Sequence, residues 1–312
     1  MASQIISSLG VKNWTVDRLP ELQAKQFVIT GANSGIGFEA ARMLGEQGAD
    51  LILACRSPQK AEQARQSLQA STKGTIDLVT LDLSDGASIR RAAESVRILT
   101  KKIDGLINNA GIMQTPQLET ADGFEMQFGT NHLGHFLWTS LLLDLVEAAQ
   151  GRVVQLSSIA HKLGRINWND PMLSGAYNAS TAYSQSKLAN IMFAFELDRR
   201  LAQAGRRATA CACHPGYSNT NLQSTGPTGI LNLFYKPLNA LLAQPQTMGA
   251  VPTVLSAAGV EAKRGAYYGP TGIFDLRGPV SDSSVADHAR VEEDWKRLWE
   301  LSEDLVGIEF RI

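Results

Sequence analysis

Apolar runs of strand length alternate with helix-length amphipathic stretches along most of this 312-residue chain. The strand-like runs are residues 26–30, 50–55, 75–81, 105–108, 152–156, 208–213 and 266–268. Between them the periodicity predicts helices over 36–47, 58–70, 87–100, 125–149, 183–204 and 247–258. Near-continuous apolar strands are buried on both faces, and a helix between each pair is the crossover that parallel strands require. The expected fold class is α/β, a single-domain doubly wound (Rossmann-type) parallel sheet with helices on both faces. Residues 1–24 read as a leader and 25–312 as the domain, with a substrate lid within 222–280. Trp295 and Trp299, four apart, read as the packed face of a late helix.

Composition narrows the partners. Apolar residues make up 44% and charged residues 19%, and the net charge is −1, so no global field draws in nucleic acid or an acidic membrane. Cys55, Cys211 and Cys213 lie in apolar strand-like runs and read as buried thiols in a reducing compartment. No metal site is expected, because the histidines lack a third donor at ligand spacing. No run reaches the ~18 apolar residues of a spanning helix, and a cytoplasmic location is expected.

Chemistry in such a fold gathers where the strands end at their carboxyl side. The first strand runs into Thr30-Gly31-Ala32-Asn33-Ser34-Gly35-Ile36-Gly37. Its three glycines let the backbone bend and come close to a pyrophosphate, which then faces the N–H groups of a helix start. After the second strand stands Arg56, with no acidic residue before Glu62; a cation there suits a ribose 2′-phosphate, so NADP(H) is favoured. Asp82, flanked by Leu81 and Leu83, could accept from an adenine amino group or cap the next helix. The fourth strand ends in Asn108-Asn109-Ala110-Gly111, a turn able to pass close to a ribose.

Asn131 lies inside a helical stretch, where a polar side chain could hold a kink or a water, and the neighbouring His132 and His135 read as helix-packing or surface residues. Ser157-Ser158 closes the fifth strand, and Tyr183 and Lys187 share one helical face. An ammonium beside a phenol favours the phenolate, so Lys187 is expected to lower the pKa of Tyr183. Pro215-Gly216 breaks the chain after the sixth strand, with Thr220 as a side-chain partner for a nicotinamide amide. The apolar stretch 226–243 and residues 267–280 would form the lid, as a wall for an apolar substrate or as packing on the core or a partner subunit.

Taken in order, these motifs resemble the short-chain dehydrogenase/reductase family over residues 24–260. The phrases Ala54-Cys55-Arg56, Asn131-His132-Leu133-Gly134-His135-Phe136 and Ser157-Ser158-Ile159-Ala160-His161-Lys162 resemble its retinol-dehydrogenase-like branch, which also contains light-dependent protochlorophyllide reductases. The resemblance implies Tyr183 as acid/base, Lys187 as its modulator, Ser158 as the holder of the substrate oxygen and Asn131 as support for a relay water. It implies NADP(H) against Gly31, Asn33, Ser34, Gly35, Ile36, Gly37, Arg56, Asp82, Leu83, Asn109, Ala110, Gly111, Asn131, Tyr183, Lys187, Pro215, Gly216 and Thr220. The substrate would be a medium-sized, largely apolar aldehyde, ketone or alcohol, and the protein a possible homo-oligomer. A nucleotide-sensing protein without turnover and a light-dependent tetrapyrrole reductase are the competing readings. A long loop over 164–181 separates the serines from Tyr183 and leaves open which serine faces the substrate.

Overall fold

The structure, a computed structural model, describes residues 10–217 and 244–312. Eight strands form one sheet in the order β3-β2-β1-β4-β5-β6-β7-β8. They are β1 (Gln26–Thr30), β2 (Asp50–Cys55), β3 (Ile76–Thr80), β4 (Gly105–Asn108), β5 (Arg152–Leu156), β6 (Thr209–Cys213), β7 (Tyr267–Pro270) and β8 (Val280–Asp282). The first seven run parallel, and β8 pairs antiparallel with β7. The expected doubly wound sheet is the one observed.

Helices α1 (Gly35–Glu46) and α2 (Pro58–Gln69) cover one face of the sheet, and α3 (Gly86–Leu99) covers the other. The chain steps from β3 back across β1 to β4, so the turns after β1 and β4 face each other across the switch-point crevice. The predicted 125–149 helix is three pieces: α4 (Met126–Phe128), a π-helical turn (Gly129–Leu133) and α5 (Gly134–Ala149). Helix α6 starts at Ala179, before the predicted 183, because the Asn178 side chain accepts from the N–H groups of Ser180 and Thr181, both at 3.0 Å. Helix α7 (Gln246–Ala258) packs against α1, and α8 (Glu292–Val306) lies on α6, burying Trp295 and Trp299 as their spacing suggested.

Differences from the sequence reading also appear at the edge of the sheet. The described part of the leader, from residue 10, is built into the domain: Trp14 is buried, its N–H donates to the Val280 carbonyl at 2.8 Å, and Leu19 and Leu22 join the core. The second lid stretch begins as a wholly buried sheet strand, β7, and ends in β8, which leaves only 271–279 as a surface connection. Strand β8 escapes pattern reading because it has three residues and a single apolar one. The other lid stretch, 226–243, lies outside the described residues, as does Thr220. Among the described residues no helix is long and apolar enough to cross a membrane, and no group of His, Cys, Asp and Glu could hold a metal ion. The three cysteines are buried, with their thiols pushed up to about 11, 12 and 11 for Cys55, Cys211 and Cys213 by loss of water.

Candidate active site

A cavity of about 460 Å³ opens at the carboxyl ends of β1, β4 and β5. One end is the glycine turn. Gly31 and Gly35 hold φ of +67° and +62°, a region that side-chain-bearing residues avoid. A Cβ on Gly37 would come within 2.7 Å of the Gly31 carbonyl, so only glycine lets α1 start this close to the turn. Ser34, at the N-cap of α1, makes no side-chain cap bond, and the first turn carries no acidic residue. These free N–H groups and the positive end of the helix dipole suit a diphosphate. Arg56 lies on the rim, exposed, and among the described residues it pairs with no carboxylate.

The β4 turn is locked to the β1 turn from beneath. The Thr30 hydroxyl oxygen accepts from the N–H groups of Asn109 and Ala110, both at 2.9 Å, while Asn109 Nδ2 donates to the Thr30 carbonyl at 2.8 Å. Asn131 sits in the π-helical turn, fully buried. Its Oδ1 accepts from Ile112 N–H at 2.8 Å, and its Nδ2 donates to the Ile112 carbonyl and to Ser186 Oγ, each at 2.9 Å. The sequence left a kink or a water as its use; the structure puts Asn131 in a π-helical turn, with the side chain gripping the backbone that follows Gly111.

At the other end of the cavity stand Ser158, Tyr183 and Lys187. The two serines part company here. Ser157 Oγ is buried and donates to the Lys187 carbonyl at 2.7 Å, whereas Ser158 is half-buried and its Oγ accepts from Ala160 N–H at 3.2 Å. Both serines line the cavity with Tyr183, and Ser158 is the more open of the two. Lys187 Nζ donates to the Leu156 carbonyl at 3.3 Å and stands 5.8 Å from the Tyr183 ring centre. Burial pulls the Lys187 ammonium down to about 8, and burial also pushes the Tyr183 phenol above its ordinary value, with the neighbouring Ser158 side chain opposing in part. The sequence expectation had the opposite sign for Tyr183. Spacing puts the two residues on one face, but it does not reveal that the phenol is dehydrated or that the ammonium is turned to Leu156.

The structure gathers most of the sequence-derived set on this one cavity: Gly31, Asn33, Ser34, Gly35, Ile36, Gly37, Arg56, Asn109, Ala110, Gly111, Ser158, Tyr183, Lys187, Pro215 and Gly216. Others stand elsewhere. Asn131 is behind the wall, and Leu83 lines a separate cavity with α3 and α5. Asp82 Oδ1 accepts from the N–H and the hydroxyl of Ser84, at 2.9 and 2.6 Å, and the cap of α3 is Asp85. The lining also includes Ser157, together with Ile112, Met113, Leu156, Ile159 and Tyr217, which sequence reasoning passed over; each of these five lies within two residues of a motif, and that nearness was the available signal.

Comparison with known proteins places this geometry. Residues 25–230 match the short chain dehydrogenase family. Retinol dehydrogenase 11 of Homo sapiens is 40% identical over 305 residues, covering 96% of this chain and 90% of that protein. Retinol dehydrogenase 12 of Bos taurus is 42% identical over 293 residues, covering 92% and 88%. An uncharacterized protein from Mycobacterium Paratuberculosis has a solved structure that superposes with a TM-score of 0.81 at 39% identity, over 96% of this chain and 100% of that one. At 23% identity, the RhlG/NADP complex of Pseudomonas aeruginosa shares the fold with a TM-score of 0.65, over 82% of this chain and 98% of that one. With the glycine turn, the Ser158–Tyr183 pair and Lys187 on one cavity, and this likeness running almost end to end, the chain belongs to the short-chain dehydrogenase/reductase family of oxidoreductases, in its retinol-dehydrogenase-like branch.

Proposed function

We propose that the protein is an NADP(H)-dependent reductase of medium-sized, largely apolar carbonyl compounds, of the retinal class, working reversibly on the corresponding alcohols. The observation that carries this reading is that Ser158, Tyr183 and Lys187 stand together at one end of a cavity whose other end is a bare helix N-terminus. NADPH, when bound, supplies the hydride. The chain supplies orientation and a proton.

Tyr183, whose phenol is protonated at neutral pH at its ordinary pKa of ~10 and is pushed higher by loss of water, gives its hydroxyl proton to the substrate oxygen as hydride reaches the carbon. Ser158 donates to the same oxygen and so stabilises the charge that gathers there. Lys187 holds positive charge beside the phenol ring and favours the phenolate that proton transfer leaves behind. Asn131 acts through the backbone, fixing Ile112 and with it the wall next to Gly111. Ile112, Met113, Ile159 and Tyr217 add apolar surface to the cavity, which suits a hydrocarbon substrate, as do relatives named retinol dehydrogenases.

The test is NADPH oxidation in darkness against a panel running from short aldehydes to all-trans-retinal. Turnover rising with apolar chain length is the expected result; activity confined to an illuminated tetrapyrrole would replace this reading with the photoreductase. Arg56 is assigned to the ribose 2′-phosphate. Losing a charge-assisted contact there is expected to raise the KM for NADPH about tenfold or more in Arg56→Ala while NADH changes little. Equal losses with the two nucleotides would remove the 2′-phosphate assignment.

A further inference from the structure

His135 is fully buried one helical turn after Asn131, at the start of α5, and both of its ring nitrogens are engaged. Nδ1 lies 3.0 Å from the Asn131 carbonyl, and Nε2 lies 2.9 Å from Thr30 Oγ1. Partner chemistry fixes every proton in this chain. A carbonyl only accepts, so Nδ1 carries the hydrogen; burial holds the ring neutral, pulling its pKa down to about 4, so Nε2 is a lone pair. The Thr30 hydroxyl then donates to Nε2. Its oxygen keeps two lone pairs, and two N–H groups, those of Asn109 and Ala110, fill them. The Ile107 carbonyl, at 3.4 Å, is the poorer alternative for the same hydroxyl proton.

We propose that His135 is a positioning residue that ties the two cofactor-facing turns, through Thr30, to the π-helical turn of Asn131, so that nucleotide binding and the placing of the wall beside Lys187 are set by one imidazole. The π-helical turn brings the Asn131 carbonyl to a ring nitrogen of His135, and the Asn131 side chain on the far side holds Ile112. Gly111 completes the connection: a Cβ there would lie 3.3 Å from Asn131 Oδ1 and 3.4 Å from Lys187 Nζ, so the three groups are in close register. A shift of the π-helical turn is therefore felt at Lys187, and a shift of Thr30 at Asn109 and Ala110. This inference rests on the reading of the cavity as an NADP(H) site.

The two hydrogen bonds can be cut separately. In His135→Asn the short amide reaches only the Asn131 carbonyl; in His135→Gln the longer one reaches only Thr30; His135→Phe keeps the ring volume and loses both. Folding is checked by circular dichroism, NADPH affinity by calorimetric titration, and kcat with the best carbonyl of the panel. Losing a buried hydrogen bond is expected to cost about tenfold. His135→Asn is expected to weaken NADPH binding with kcat kept, His135→Gln to lower kcat with binding kept, and His135→Phe to do both. Identical patterns in the Asn and Gln variants, or a folded Phe variant unchanged in both readouts, would overturn the proposal. If His135→Phe does not fold, the other two variants decide. If wild-type protein binds NADPH yet reduces no carbonyl, the function proposed above fails, and the binding arm still decides this one: the Asn variant weakened and the Gln variant not. Wild-type protein that binds neither NADPH nor NADH would overturn both.

Discussion

Tyr183→Phe is expected to lower kcat by about 10²–10⁴-fold, the range associated with loss of a positioned acid/base. The affinity for NADPH should stay within about threefold, because the variant removes one hydroxyl and leaves the ring packed on α6. Ser158, at the same end of the cavity, is anchored separately by accepting from Ala160 N–H at 3.2 Å, so the local fold survives. Single-turnover reduction with saturating nucleotide separates the chemical step from binding. A variant with wild-type turnover would show that the proton comes from elsewhere, and the assignment of the whole site would fall with it.

Lys187→Met is expected to abolish most activity and yet make the cofactor-free protein more stable at pH 7. The ammonium is buried, and its pKa falls from 10.5 to about 8. At ~1.4 kcal/mol per pKa unit, holding it charged costs the folded state about 3 kcal/mol. The sign follows from proton counting. Between pH 8 and 10.5 the unfolded chain binds the proton that the folded chain has shed, so wild-type stability rises across that window. Below pH 8 the penalty is present in full. The Met variant should therefore exceed wild type at pH 7, and the difference should fade as pH approaches 10.5. Urea titrations at both ends of the window measure it, with kcat expected to drop about a hundredfold or more. A Met variant less stable than wild type at pH 7 would mean that Lys187 contributes more as a hydrogen-bond donor to Leu156 than it costs as a buried charge.

The sheet and the glycine turn were legible because both rest on local rules. Period-two or continuous apolar runs end where Gly, Pro or Asn begin, and β1, β2, β4 and β5 start and stop where those rules place them. What stayed hidden depends on depth or on distant partners. The spacing of Tyr183 and Lys187 gives a shared face, but the shift of the phenol is decided by exclusion of water, and the ammonium turns to a carbonyl on β5. Asp82 and Asp85 are both plausible caps; only the observed loop, in which Asp82 turns back to Ser84, assigns the cap to Asp85. His135 reads as a packing residue because Thr30, its partner, is 105 positions away in sequence. Leader and domain could not be told apart by composition, since Val11 and Trp14 gain their neighbours from the far end of the chain.

That last pairing governs when the protein becomes whole. Val11 and Asp282 exchange hydrogen bonds across 271 positions, so the early segment has no strand to lie on until residue 282 has left the ribosome. A nascent chain stalled short of β8 would hold a sheet with an open border, the kind of edge that recruits other strands. Once the closing pair has formed, residues 11–14 and β8 hold each other in place at the border of the sheet.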